Sequence, residues 1–490
     1  MQNHYQIRIN FKGGIVAPTE MREILLAAQA ARVQNVRFGL RQQMILHVSH
    51  TFGKKLGEEL RRFGIQFEVD DNTFPNIVSS YVSEEVFQAG NWLTEGIYKD
   101  IFDGFEHEPH LKINVSDAQQ SFTPFFSGHL NFVASQTPNF WYLYVRLPKT
   151  NTVTLFQKLI FTNEISTVSK QAERLILTEE NNREQDIQYL FSKIQTYVHL
   201  PAEQTLVLPK FTLPYYEGFN RYGTKTWLGI YRRNELFSID FLLEICDLCQ
   251  ATKVGEICLT PFKSLIIKGI PEKQRNNWSS ILLKYNINVR HAANELNWQV
   301  EDDSDEALAL KTELVKTFDA QDLRSFGLCF GIKTREKTEV YASIMIRKRP
   351  FKFFGLIPTF SVYDVSYTED FNPNGRTKKY FAKNILRFNL SEQVRRNVLL
   401  FNNMAAENQI FEAGMRDNSE TPEKAKPVRE VVQKCKYCGT IYHPDFGDIL
   451  NGIEPNIAFK DLPETYYCPT CEAPKSDFKA VEIEVISAEI

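Results

Sequence analysis

The stretch "KCKYCGTIYHPDFGD", residues 434–448, carries a Cys-x-x-Cys turn. A second turn follows about thirty residues on, in "YYCPTCEAPKSDF", residues 466–478. Each turn brings two sulfurs to one side of a tight loop. Two such loops face to face give a tetrahedral set of four sulfurs, a donor set that selects zinc or iron. The candidate ligands are Cys435, Cys438, Cys468 and Cys471. Spacing alone leaves open a zinc that only holds the fold and an iron that carries an electron.

Working outward, "AGMRDNSETPEKAKPVREVVQK" (413–434) is charged, has two prolines and few large apolar residues. It reads as a linker, placed at 413–432. The small domain that follows, 433–483, is too short to rest on its core alone, so a metal staple is expected.

The whole chain has 490 residues, 43% of them hydrophobic, and a formal net charge of −3. That balance gives no reason to expect nucleic acid or a membrane surface as partner. No apolar run is long enough to span a bilayer, and "MQNHYQIRINFKGG" has no apolar leader segment. A cytoplasmic chain is expected. Four cysteines remain besides the candidate ligands. Cys246 and Cys249 lie in "FLLEICDLCQ", an amphipathic helical run, and Cys258 and Cys329 lie in apolar strands. In a reducing compartment they read as buried thiols rather than disulfides, with a redox or metal role for Cys246 and Cys249 the alternative.

The front of the chain repeats itself. "ILLAAQAARVQNVRFGLRQQMILHV" (24–48) and "FLLEICDLCQATKVGEICLTPFKSLIIKGI" (241–270) each run from a helix to a strand, a turn and a second strand. Each turn holds a long polar residue, in Arg41-Gln42 in one and in Phe262-Lys263 in the other. A further helix and a short strand ("IQFEVD", "INVRHA") close each copy. With a leading strand such as "HYQIRINF", this is a ferredoxin-like α+β unit. After each copy, helical runs ("SEEVFQAGNWLTEGIYKDIF", "ALALKTELVKTF") mix with alternating strands ("FWYLYVRL", "TEVYASIMIRK"). The expected domains are 1–74 and 201–297 (ferredoxin-like), 75–200 and 298–412 (larger α/β units), then the linker and the small domain.

The small domain closely resembles rubredoxin. The matching residues are Cys435-x-x-Cys438-Gly439, Tyr442, Pro444, Gly447, Asp448, Phe459, Leu462-Pro463, Cys468-Pro469, Cys471, Lys475 and Phe478. The resemblance implies one iron ion on the four cysteines, cycling between Fe3+ and Fe2+. It also implies that Tyr442, Phe459, Tyr466 and Phe478 pack beneath the metal. Tyr466 stands where the family has tryptophan, and Glu472 where it has glycine. Glycine there turns the backbone toward a sulfur without a Cβ clash.

The front resembles the siroheme nitrite and sulfite reductases, which duplicate a ferredoxin-like unit and a siroheme-binding unit. Their signature is Cys-x5-Cys and Cys-x3-Cys, four ligands to a [4Fe–4S] cluster. The corresponding positions here are Ser80, Val86, Ala118 and Phe122, and Pro75 replaces an arginine before Asn76. Arg41 is kept. The resemblance therefore implies a reductase-like scaffold without siroheme or [4Fe–4S] cluster.

The expected fold class is α+β: two ferredoxin-like, siroheme-reductase-like halves followed by a small iron-binding domain. The expected function is one-electron transfer between redox protein partners, with delivery to a cytoplasmic reductase such as nitrite or sulfite reductase. Two other readings stay open: a catalytic reductase with an unseen cofactor in the front, and a zinc-loaded assembly module. No nucleotide-binding glycine loop or zinc-protease motif occurs in the front, so no catalytic residue is assigned there.

Overall fold

The computed structural model describes residues 4–87, 92–178, 187–335, 340–353, 357–418, 428–448 and 451–485. The chain divides into two compact units, 1–402 and 403–490.

The first unit opens with β1 (His4–Asn10), β2 (Ile15–Val16), α1 (Pro18–Ala30), β3 (Asn35–Phe38), β4 (Gln43–Ser49), α2 (His50–Arg62) and β5 (Glu68–Val69). Proline at the first position of α1 starts the helix with its φ already set. Met21, Ile24, Leu25 and Ala28 recur at helical spacing and are buried. The strands lie in the order β3-β4-β1-β5, all antiparallel. This is the expected ferredoxin-like unit.

The α/β part that follows has β6 (Val78–Ser79), α3 (Glu95–Asp103), β7 (Ile113–Ser116), β8 (Leu130–Ala134), β9 (Phe140–Val145), β10 (Thr154–Leu155), β11 (Lys158–Phe161), α4 (Ile165–Thr178), α5 (Ile187–Lys193) and β12 (His199–Pro201). β6, β7 and β8 pair in parallel, and β9, β11 and β12 continue the sheet antiparallel. The helix expected over 83–102 begins only at Glu95, with Thr94 at its N-cap in an extended conformation; residues 88–91 lie outside the described ones.

The second copy has β13 (Gly218–Tyr222), β14 (Lys225–Ile230), β15 (Phe237–Ser238), α6 (Ile239–Thr252), β16 (Ile257–Leu259), β17 (Leu265–Pro271), α7 (Arg275–Lys284) and the short α8 (Ala293–Leu296). β18 (Trp298–Val300), α9 (Asp305–Ala320), β19 (Phe330–Lys333), β20 (Ile344–Phe353), β21 (Ile357–Thr368), β22 (Lys378–Ile385) and α10 (Arg387–Asn418) complete it. Again three strands are parallel, β18 to β20, and two more antiparallel. The internal repeat is thus a repeat of topology.

Three sequence expectations need correction. "INVRHA" forms no strand, because the hairpin partner β13 already pairs the edge of β14 that a closing strand would need. The two copies are not separate domains either. β2 of the first copy pairs with β16 of the second, and β15 of the second pairs with β3 of the first. Their helices and sheets share one apolar core, in which Ile24, Leu25, Leu242 and Ile245 are all buried. Finally, the segment read as linker is helical up to Asn418 and strand from Val428, while its middle, 419–427, lies outside the described residues. "MAAENQIFEAGMR" is rich in strong helix formers, and propagating a helix costs little once it is nucleated.

The second unit holds β23 (Val428–Cys435), β24 (Ile441–Tyr442) and β25 (Phe478–Val485), in the order β24-β23-β25. β23 and β25 pair from Val428↔Val485 to Cys435↔Phe478. Their core is Tyr442, Leu462, Tyr466 and Phe478, with Phe459 packed against it.

Candidate metal centre

The two Cys-x-x-Cys turns face each other. The sulfurs of Cys435, Cys438, Cys468 and Cys471 all lie within 4.8 Å of one another. Cys435 Sγ is 3.6 Å from Cys471 Sγ, and Cys438 Sγ is 3.4 Å from Cys468 Sγ. A metal with ~2.3 Å bonds to four sulfurs would need tetrahedral edges of roughly 3.8 Å, so the spacing fits. Among the described residues no other group of three or more His, Cys, Asp or Glu side chains converges this closely.

The chemistry of the donor set also asks for a cation. Hydrogen bonds from Thr440, first its hydroxyl and then its backbone N–H, pull the Cys438 thiol down to about 6. An N–H from Ala473 acts the same way on Cys471. There the neighbouring sulfurs, Cys438 foremost, outweigh it and push the thiol up to about 12. Four sulfurs this close cannot all be thiolates unless a cation holds them.

Each turn needs a left-handed residue after its second cysteine. Gly439 supplies it on the first, at φ +78°. Glu472 supplies it on the second, at φ +59°, which a residue with a Cβ adopts at a cost of ~1–2 kcal/mol. Gly447 is required more strictly, because a Cβ there would meet the backbone of Ile453 and Glu454 at 2.6–2.7 Å.

Beneath the sulfurs, Tyr442, Phe459, Tyr466 and Phe478 pack edge-on or tilted, with ring centroids 5.1–6.1 Å apart. The Tyr466 hydroxyl donates to Asp448 at 2.9 Å and the Tyr442 hydroxyl to the Ile457 carbonyl at 2.7 Å. Lys475 donates to the Leu462 carbonyl at 2.7 Å. Cys435 and Cys468 are buried, whereas Cys438 and Cys471 are exposed. One pair is fixed in the core, and the other faces outward.

A closed four-sulfur centre of two facing turns over an aromatic core defines the class: a small mononuclear metal domain with no open coordination position. The rubredoxin family's sequence profile matches residues 433–478. The probable rubredoxin HupI of Bradyrhizobium diazoefficiens is 47% identical over 49 residues, which are 10% of this chain and 71% of that protein. A probable rubredoxin of Methanothermobacter thermautotrophicus is 45% identical over 49 residues, 10% of this chain and 78% of that protein. By this domain the chain belongs to the rubredoxin family, and the four converging cysteines support one iron ion there.

The front has its own likeness. The structure of the Mycobacterium tuberculosis NirA protein covers 80% of this chain and 80% of its own, with a TM-score of 0.58 at 14% identity. The fold expected from the resemblance to nitrite and sulfite reductases is thus present.

The two stretches that hold the four positions compared with cluster ligands meet in this fold. Ser80 hydrogen-bonds to Tyr98 and to the Asp117 N–H beside Ala118. Phe122 is buried, stacked on Phe262 at 5.3 Å and packed against Phe87, next to Val86, and Tyr216. These residues offer no thiolate and fill the space with rings, so they do not fit a [4Fe–4S] cluster. Burial pushes the thiols of Cys246 and Cys258 up to about 12 and raises those of Cys249 and Cys329 further. All four are inert core residues.

Sequence reasoning missed a cationic cluster near Arg41. Arg41 is buried and donates to the carbonyls of Asn76 and Ile113 at 2.6 and 3.0 Å. Arg146 donates to the Ser127 and Gly128 carbonyls, and Arg376 to those of Phe126 and Asn151. Burial, then neighbouring cations, hold Lys112 down at about 7. Burial, then Lys378 and Arg347, hold Lys333 at about 8. The cations come from four distant parts of the chain, so no sequence motif announces them.

Proposed function

We propose that this chain is a cytoplasmic one-electron carrier that takes electrons from one redox protein and delivers them to a reductase. Nitrite or sulfite reductase is the first candidate. The observation that carries this reading is the closed set of four sulfurs in a rubredoxin-family domain. An iron ion held there supplies one-electron chemistry and nothing else, because no position is left for substrate. The chain's own part is to keep the ligands fixed. The aromatic core and the Tyr466–Asp448 bond hold Cys435 and Cys468 rigid, so little reorganisation accompanies transfer, and the exposed Cys438 and Cys471 bring the electron to the surface.

Charge supports a steered encounter. From 431 to 482 there are five lysines, no arginine and eight acidic residues. A domain of that sign is drawn to basic surfaces at low salt and released as salt rises. Among the described residues no helix is long and apolar enough to cross a membrane, in keeping with a carrier that meets its partners in water. The front, on this reading, carries neither siroheme nor cluster and serves as a docking scaffold.

The test is direct. The purified chain should contain one iron and be red when oxidised, and stopped-flow mixing of the reduced chain with such a reductase should show reoxidation that slows with salt. Full zinc occupancy with no visible absorption in native material would end the carrier reading. A second reading, a catalytic reductase in the front, draws on the cationic cluster around Arg41, which suits an anionic ligand. Acid-labile sulfide or a siroheme band in the purified chain would favour it.

A further inference from the structure

The two cysteine turns differ in what their loops add to the sulfurs. Backbone N–H groups serve both, from Thr440 to Cys438 and from Ala473 to Cys471. Among the described residues, the first turn alone adds a hydroxyl side chain. Thr440 Oγ1 lies 3.0 Å from Cys438 Sγ. The same hydroxyl donates to Thr470 Oγ1 at 2.9 Å, across the gap between the turns.

A threonine hydroxyl has one proton to give. While Cys438 is a thiol, its S–H can donate to Thr440, and the Thr440 proton is free for Thr470. A metal-bound thiolate can only accept. Thr470 and Cys438 then compete for one proton, and the charge on the sulfur decides the outcome, because a hydrogen bond to an ionised acceptor is roughly twice as strong as a neutral one.

Resting on the iron-carrier reading, we propose that Thr440 is a two-position hydroxyl donor that sets the reduction potential, turned to Thr470 in the oxidised protein and to Cys438 Sγ in the reduced one. Four thiolates on Fe3+ carry a net −1 and on Fe2+ a net −2. One electron enters from the donor protein, no proton is taken up, and no bond forms or breaks at the metal. The hydroxyl proton stays on Thr440 and rotates about the Cβ–Oγ1 bond. Since the bond to sulfur is stronger in the reduced state, it favours that state and raises the potential, as hydrogen bonds to metal-bound sulfur do. Thr470 works against it by offering the oxidised state an alternative acceptor. Thr440 is a positioning residue for charge, and Thr470 is its counterweight.

The experiment compares the full-length iron protein with Thr440→Val, Thr440→Ser and Thr470→Val by spectroelectrochemical titration, after iron content and visible spectrum have been recorded for each. Thr440→Val should lower the reduced-to-oxidised ratio at fixed potential at least threefold, ~28 mV at 59 mV per tenfold change. Thr440→Ser keeps the hydroxyl and should restore the wild-type value. Thr470→Val removes the competing acceptor and should move the ratio the other way. A general change of polarity near the metal would move both valine variants together. That outcome, or a potential indifferent to Thr440 in a red, iron-loaded protein, overturns the proposal and leaves the carrier reading standing. Zinc in the native wild-type protein overturns both.

Discussion

Positions 80, 86, 118 and 122 in the front, and 435, 438, 468 and 471 in the small domain, pose one problem with opposite solutions. In the small domain the fold draws four residues together from two distant stretches of chain; in the front it makes two such stretches meet, Ser80 against Asp117 and Phe87 against Phe122. In the small domain all four are cysteines, and the convergence costs free energy until a cation binds. In the front they are serine, valine, alanine and phenylalanine. Convergence there is favourable in itself, because Phe122 buries its ring against Phe262 and Tyr216. A fold that places ligands well also places core residues well, and only the side chains decide whether the site demands an ion.

The largest effect should come from breaking the metal-dependent set. Cys468→Ser removes a buried ligand, so the four-sulfur absorption should vanish and the small domain should lose its protection in hydrogen exchange, since folding and metal binding are coupled. The front, whose apolar core is built from residues outside the four-sulfur set, should keep its melting transition. Chelation of the metal should have the same one-sided result. Next comes Phe122→Ala, which empties a buried ring site. About 3–5 kcal/mol of front-unit stability should go, read by denaturant unfolding, with iron content untouched.

The comparison extends to pH. Lys112 and Lys333 have their pKa values depressed to about 7 and about 8, against an ordinary value near 10.4. A base with a depressed folded pKa contributes its stability above the unfolded value and loses it as pH falls through the folded one. The front should therefore melt higher at pH 9 than at pH 6 in low salt, and phosphate should narrow the gap. Lys112→Met should flatten the profile. The smallest effect sharpens the small domain. Glu472→Gly relieves a left-handed glutamate and should stabilise the domain by ~1 kcal/mol, seen as slower release of metal to a chelator.

What could be read ahead in the sequence follows from how local each signal is. The convergence of the four cysteines was legible because Cys-x-x-Cys packs its meaning into four residues, and the ferredoxin-like copies because apolar periodicity runs through α1, β4, α6 and β17. Two-residue strands such as Ile15–Val16 and Phe237–Ser238 carry no period, so the exchange between copies stayed hidden. "INVRHA" alternates as a strand should, yet the edge it needed was occupied by β13. "VREVVQK" reads as charged linker until its partner fifty residues away is known. In the site, the tyrosine in place of tryptophan was visible, but not that its hydroxyl finds Asp448. Nor does a threonine after Cys-Gly announce a bond to sulfur; that needs the second turn in place.

The exchanged strands β2 and β15 have a consequence for how the front comes apart. Each is a two-residue stitch sewn into the other copy's sheet, and each leads directly into a helix of its own copy. Pulling either copy away would expose a sheet edge in both at once, and strip the shared apolar layer between α1 and α6. The front therefore has no half-unfolded state of low energy in which one copy survives. Heat or denaturant should melt both copies in a single transition, and a protease should find its first cut outside them.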